Sequence, residues 1–182
     1  MEIGWTLCPA DLATQGGRIM DFKIPKPLEV EHEELHGELV KAMKMPGRVG
    51  EAARTVATFL HQHFVHEEEF ALPPLGLLAR LAEGKVTPEM RQVLTPSDKL
   101  KAELPQMLDE HKAIVRALEK LIVAAEVEGK PEVARFAEKL ILHAQTEEEV
   151  LYPTAILIGE YVRAQLARRP AVKFAEKWGH QP

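Results

Sequence analysis

The chain has a single cysteine, Cys8, so neither an intramolecular disulfide nor a cysteine-ligated metal cluster can hold it together. Aromatic residues are scarce, at 5%, and no alternation of β-branched and polar residues sustains a strand. No apolar run approaches the roughly 18 residues of a membrane span. The opening "MEIGWTLCPADLATQGG" lacks the basic start and unbroken apolar run of a signal peptide. An excess of positive charge is missing as well: the net charge is −5, which gives no footprint for nucleic acid. The locally basic "ARRPAVKFAEK" reads as a solvated tail. Together these absences predict a soluble protein of a reducing, cytoplasmic compartment, with no nucleic-acid or membrane partner.

What is present is helix-forming. A hydrophobic fraction of 46% over 182 residues suits one ordered domain, and Ala, Leu, Glu, Lys and Arg abound. Residues 1–26 carry scattered Gly and Pro without a sustained period and read as an N-terminal extension lying across a domain surface. At about 100° per residue, Leu28, His32, Leu35, His36, Leu39 and Met43 then share one stripe, which predicts a helix over 27–45. "MPG" makes a turn. A second helix over 49–81 places Val56, Leu60, His63, Glu67 and Phe70 inward, with a kink expected at Pro73 and Pro74. Gly84, Pro88 and Pro96 break up 82–104, which reads as a connector. A third helix over 105–127 aligns Met107, His111, Ile114 and Leu118. Gly129 and Pro131 stop it and start a fourth over 131–166, which aligns Phe136, Leu140, His143, Glu147, Val150 and Leu151. Residues 167–182 form a C-terminal tail. Four helices with mostly short connections predict an all-α, up-down-up-down four-helix bundle.

The chain also repeats itself. "HFVHEEEFALP", 63–73, returns as "HAQTEEEVLYP", 143–153, and Leu60, His63, Glu67, Glu68, Glu69 and Pro73 match Leu140, His143, Glu147, Glu148, Glu149 and Pro153. His32 and His111 each follow a glutamate in a similar setting on the other two helices. His63 and Glu67, like His143 and Glu147, stand four residues apart, which puts them on one helix face about 6 Å apart along the axis. The second and third glutamates of each triplet, and Glu31, Glu33 and Glu34 on the first helix, turn away and read as solvated. Four imidazoles and two carboxylates in an apolar interior are costly unless paired, and a metal centre removes the cost. Nitrogen and carboxylate donors suit iron or manganese better than calcium or a thiophilic metal.

These residues resemble the hemerythrin-like family, also called the HHE cation-binding domain, over about 27–166. The resemblance rests on the lone "EH" of the first and third helices and on "H-x-x-x-E" followed by proline on the second and fourth. It implies a bundle holding two non-haem iron ions with a solvent-derived oxo or hydroxo bridge. His32, His63, His111 and His143 would be ligands, and Glu67 and Glu147 would bridge. His36, four residues after His32, would be an extra ligand or a hydrogen-bonding neighbour of one, and His66, about 60° from the His63 face, a packing or outer residue with direct ligation as its lesser alternative. The implied function is reversible binding of, or reaction with, dioxygen, nitric oxide or peroxide in sensing, storage or detoxification. Alternatives are a di-iron oxidoreductase removing peroxide or nitric oxide, iron-sulfur cluster repair or iron donation, and a helical interaction module with a structural metal. The interior shows no evident substrate-binding residues and no proton donor, which favours binding over turnover.

Overall fold

A computed structural model describes residues 22–168, and every regular element among them is helical. Helix α1 spans Lys26–Met43 and α2 Gly47–His66. The chain goes on through a π-helical turn, Glu67–Ala71, a 3₁₀ turn, Pro73–Leu77, and the short α3, Leu78–Ala82. After a second 3₁₀ turn, Pro88–Val93, α4 runs from Leu94 to Val127. Then α5, Pro131–Thr146, a second π-helical turn, Glu147–Leu151, and α6, Tyr152–Arg168, complete the described chain. Four long helical stretches result, consistent with a four-helix bundle: α1 and α4 each pack against both α2 and α5. No helix among the described residues is long and apolar enough to cross a membrane.

The expected connector 82–104 is shorter than its prolines suggested, because α4 starts at Leu94 instead of Pro105. Pro96 falls in the first turn, where backbone N–H groups have no intrahelical partner anyway. Pro105 lies inside the helix, where it forfeits one backbone bond. Packing outweighs that loss: Leu100 and Met107 on either side are fully buried, and Ser97 Oγ donates to the Ala155 carbonyl of α6 at 2.8 Å. At the end of the expected N-terminal extension, Phe22 and Ile24 pack on the core. The Lys23 carbonyl crosses so close to Gly76 that a Cβ there would overlap it. The rest of the extension, 1–21, and the tail from 169 lie outside the described residues, whereas Ala167 and Arg168 belong to α6.

The core has two apolar clusters. One gathers Leu35, Leu39, Val56, Leu60, Leu118, Leu121, Phe136 and Leu140. The other gathers Phe70, Leu75, Met90, Leu100, Met107, Tyr152, Ile158 and Val162. On each long stretch, the inward histidines and glutamates fall between residues of the first cluster and residues of the second.

Both π-helical turns begin at an inward glutamate: Leu72 N–H donates to the Glu67 carbonyl, and Tyr152 N–H to that of Glu147. Each turn leads into a proline, Pro73 or Pro153. A proline ring collides with the carbonyl four residues back, and the wider π turn accommodates it. After Pro73 the chain becomes a 3₁₀ turn, close to the expected kink. Pro153, by contrast, does not end its helix, which continues as α6. The extra residue in the turn shifts the helical phase, so Val150, expected inward, is exposed, and Tyr152 is fully buried.

The start of α2 is capped from across the bundle. Glu128, just past α4, accepts the Arg48 N–H at 2.7 Å, and Gly47, with φ of 79°, leaves the space the carboxylate needs. Replacing Glu128 by Ala is expected to cost about 1 kcal/mol of stability, the usual worth of a lost N-terminal cap. Urea denaturation measures this, and an unchanged midpoint would contradict the cap.

Candidate metal centre

Burial agrees with the helical periodicity of the sequence: His32, His63, Glu67, His111, His143 and Glu147 are each at most 7% exposed. All four long stretches contribute: α1 brings His32, α2 with its π turn His63 and Glu67, α4 His111, and α5 with its π turn His143 and Glu147. His63, Glu67, His111 and Glu147 present ligand atoms within 4.8 Å of one another, and His32, His143 and Glu147 form a second such group. Either could hold a metal ion.

The inner nitrogens crowd together. His63 Nε2 and His111 Nε2 are 2.7 Å apart, and His32 Nε2 and His143 Nε2 are 3.1 Å apart. Glu147 Oε1 is 2.9 Å from His143 Nε2 and 3.5 Å from His32 Nε2, while its Oε2 is 3.4 Å from His111 Nε2. Nevertheless Glu67 Oε2 and Glu147 Oε1 are buried and accept no well-directed hydrogen bond from any described residue. An unsatisfied carboxylate oxygen is among the costliest groups to bury.

An outer ring of carboxylates explains why the inner nitrogens face one another. His63 Nδ1 is 2.9 Å from Glu110 Oε2, His111 Nδ1 is 2.9 Å from Glu148 Oε1, and His143 Nδ1 is 3.4 Å from Glu31 Oε2. Glu68 has no such contact with an outer nitrogen; burial raises its carboxyl, and the charge of His32 opposes that. A carboxylate on Nδ1 takes the N–H there and leaves the Nε2 lone pair pointing inward, an arrangement typical of histidine ligands. The glutamate before each "EH" histidine and the second glutamate of each triplet therefore do not simply turn away into solvent. Helical angle alone missed them, since their partners lie on neighbouring helices. Glu69 does face outward, to Lys99.

Without a cation the layer draws protons instead. Burial opposes charge on His63, but the charge and hydrogen bond of Glu67, the hydrogen bond of Glu110 and the charge of Glu147 outweigh it and raise the imidazole to about 9. His143 is raised as well: burial opposes it, and the carboxylates of Glu147, Glu67 and Glu31 overcome that. Burial would raise Glu147, but the imidazoles of His111, His143 and His32 hold it well below the usual carboxylate range. The field that collects these protons would equally attract a cation.

The structure adds to the layer a hydrogen-bond donor that the spacing of the sequence did not place there, Tyr152. Its hydroxyl donates to Glu67 Oε1 at 2.7 Å and lies 3.4 and 3.3 Å from the Nε2 atoms of His63 and His111. Burial, with the charges of Glu67 and Glu147, pushes its phenol far above the ordinary range, so the group is a hydroxyl. The signal present in the sequence was the proline shortly after each inward glutamate, which forces the π turn and rotates Tyr152 inward. His36 is not brought into either group; it is partly buried beside His61, and burial together with the charge of His61 lowers its imidazole. His66 is also outside, with Nδ1 3.4 Å from Glu110 and Nε2 3.2 Å from Gln62. No family model matches the chain, and comparisons with curated proteins and with solved structures gave no match.

The ring and the field each have a measurable consequence. Changing Glu110 or Glu148 to Gln is expected to weaken metal binding roughly 10- to 100-fold, as read by competition with a chelator; unchanged affinity would deny the ring that role. Because folding raises His63 from 6.5 to about 9, its contribution in metal-free protein is complete below pH 6.5 and lost as pH rises through 9. The denaturation midpoint of chelator-treated protein should accordingly fall over that window, and a rise there would contradict the assignment.

Proposed function

We propose that the chain is a hemerythrin-like protein: an up-down-up-down four-helix bundle that holds two non-haem iron ions and receives a small ligand such as dioxygen, nitric oxide or peroxide. The topology is supported by the order of the apolar clusters along each helix. Leu28 packs with the second cluster and Leu35 with the first on α1, whereas Leu60 belongs to the first and Phe70 to the second along α2. Met107 and Ile114 on α4 repeat the order of α1, and Leu140 and Tyr152 repeat that of α2.

One observation carries the two-ion reading: both glutamates stand between the two histidine pairs. Glu147 turns Oε1 to His32 and His143 and Oε2 to His111. Glu67 has Oε1 3.3 Å from His63 Nε2 and Oε2 4.0 Å from His32 Nε2. A single ion would leave one histidine pair and the far carboxylate oxygens uncompensated; two would engage both pairs and share both carboxylates. Six buried nitrogen and oxygen donors with two unsatisfied oxygens fit iron well. Iron bound there would supply open coordination positions and one-electron chemistry.

The protein's own part is to orient the imidazoles through the outer carboxylates, exclude water and set the size of the ligand. A cavity of about 10 Å³ borders His63, His111, His143 and Glu147, and the rest of its wall is apolar, with Leu60 and Phe64 in it. That is room for about one water-sized molecule. Apolar walls favour a neutral diatomic over a hydrated ion. Such selection suits sensing, storage or detoxification of a gas.

Reconstitution with ferrous iron under anaerobic conditions tests the reading. Metal analysis should find two irons per chain, the double variant His63→Ala, His143→Ala should lose most of them, and loading should stabilise the fold. At a free iron concentration 100 times Kd the gain is about 2.7 kcal/mol. A chain that takes up no iron, or a double variant that binds it as well as wild type, would sink the proposal.

A further inference from the structure

The internal repeat would make the two histidine pairs equivalent if their surroundings obeyed it, and they do not. Tyr152 occupies the repeat position of Leu72, and Phe64 that of Ala144. The consequence falls on the two repeat-related histidines, His32 and His111. Phe64 stacks on His32 with ring centroids 4.8 Å apart and an interplanar angle of 16°, while Tyr152 stacks on His111 at 5.7 Å and 19°. One histidine is thus covered by a ring with no polar atom, the other by a ring whose hydroxyl reaches the centre. Leu72, in place of a second tyrosine, is fully buried and brings no polar group.

We infer that Tyr152 donates a hydrogen bond to a small ligand received on the His63–His111 side of the centre, making the two sides unequal in function. The inference rests on the iron-centre reading. The phenol oxygen sits 3.4 and 3.3 Å from the two inner nitrogens of that side, so an atom held between them and Glu67 is within its reach. The ring is fixed by complete burial and by its stacking on His111, and turning the O–H needs only rotation about one C–O bond. Its partner in the present arrangement, Glu67 Oε1 at 2.7 Å, is one of the donors a cation would take up, which frees the hydroxyl for a ligand atom. The cavity borders the same two histidines together with His143 and Glu147, with Phe64 and Ala144 both in its wall. On the His32 side, apolar cover offers a ligand no donor.

The probe is nitric oxide on ferrous-loaded full-length protein, monitored by the infrared N–O stretch in H₂O and in D₂O and by the rate of release. Wild type should show a solvent-isotope shift of the stretch. Tyr152→Phe should abolish the shift and speed release roughly fivefold, about the worth of one hydrogen bond. Tyr161→Phe, on the exposed face of α6, should change neither. If the protein holds iron and binds nitric oxide but shows no shift, or if the shift survives in Tyr152→Phe, the inference is overturned while the iron centre stands. Absence of the shift in wild type overturns the inference even if the variant fails to fold. A protein that takes up no iron removes both readings.

Discussion

Two carboxylates and four imidazoles share one layer in the middle of an apolar core, and the rest of the structure is arranged to make that tolerable. Each carboxylate must be offset where water cannot reach it. Protons on the histidines do this in part, as the raised His63 and His143 and the lowered Glu147 indicate. They do not do it completely, because one oxygen of each glutamate still lacks a well-directed donor. The two apolar clusters isolate the layer on either side, which makes any attraction inside it stronger than in water.

The outer carboxylates turn this layer from a liability into a site. A histidine left to itself would direct an N–H at its nearest inner neighbour and settle the layer as a closed hydrogen-bonded network. With Glu110, Glu148 and Glu31 placed at the outer nitrogens, the inner nitrogens approach each other to 2.7 and 3.1 Å. Acceptors converging at that distance repel unless something positive lies among them. A proton within each pair meets that need in the metal-free protein, in keeping with the raised His63 and His143, and a cation could take the same place. The outer carboxylates also account for the "EH" pairs and for Glu147 and Glu148 in the sequence: the inner residue supplies the donor and its neighbour supports a histidine on another helix.

Much of this was legible in the sequence, for a definite reason. Helical period and an internal repeat are properties of one chain segment at a time, so the four long helices, the inward direction of His32, His63, Glu67, His111, His143 and Glu147, and the turn residues around Gly129 could all be read from spacing. What escaped depended on more than one segment or on a change of period. Glu110 and Glu148 acquire their partners only when α4 meets α2 and α5. The early start of α4 depends on packing against α6, which offsets an internal proline. Tyr152 and Val150 exchanged places because the π turn adds a residue at Glu147, and every later position then rotates with it. A uniform 100° step cannot anticipate that, although the proline in both copies of the repeat marked where the step would fail.

The π turns also connect backbone to chemistry. In each half the extra residue begins at the glutamate that belongs to the inner layer, so the same local widening that accommodates the proline selects the side chain that next turns inward after the carboxylate. In one half the residue rotated in is Leu72, and the layer is merely sealed; in the other it is Tyr152, and a hydroxyl enters. Two halves with the same ligands, the same backbone irregularity and the same proline thus differ by a single polar atom at the centre. Because that atom is buried and its ring is stacked on His111, its direction is set by the bundle. On the proposed reading, a near-symmetric scaffold in this way keeps matched ligand sets for holding ions while reserving one side for what the ions bind.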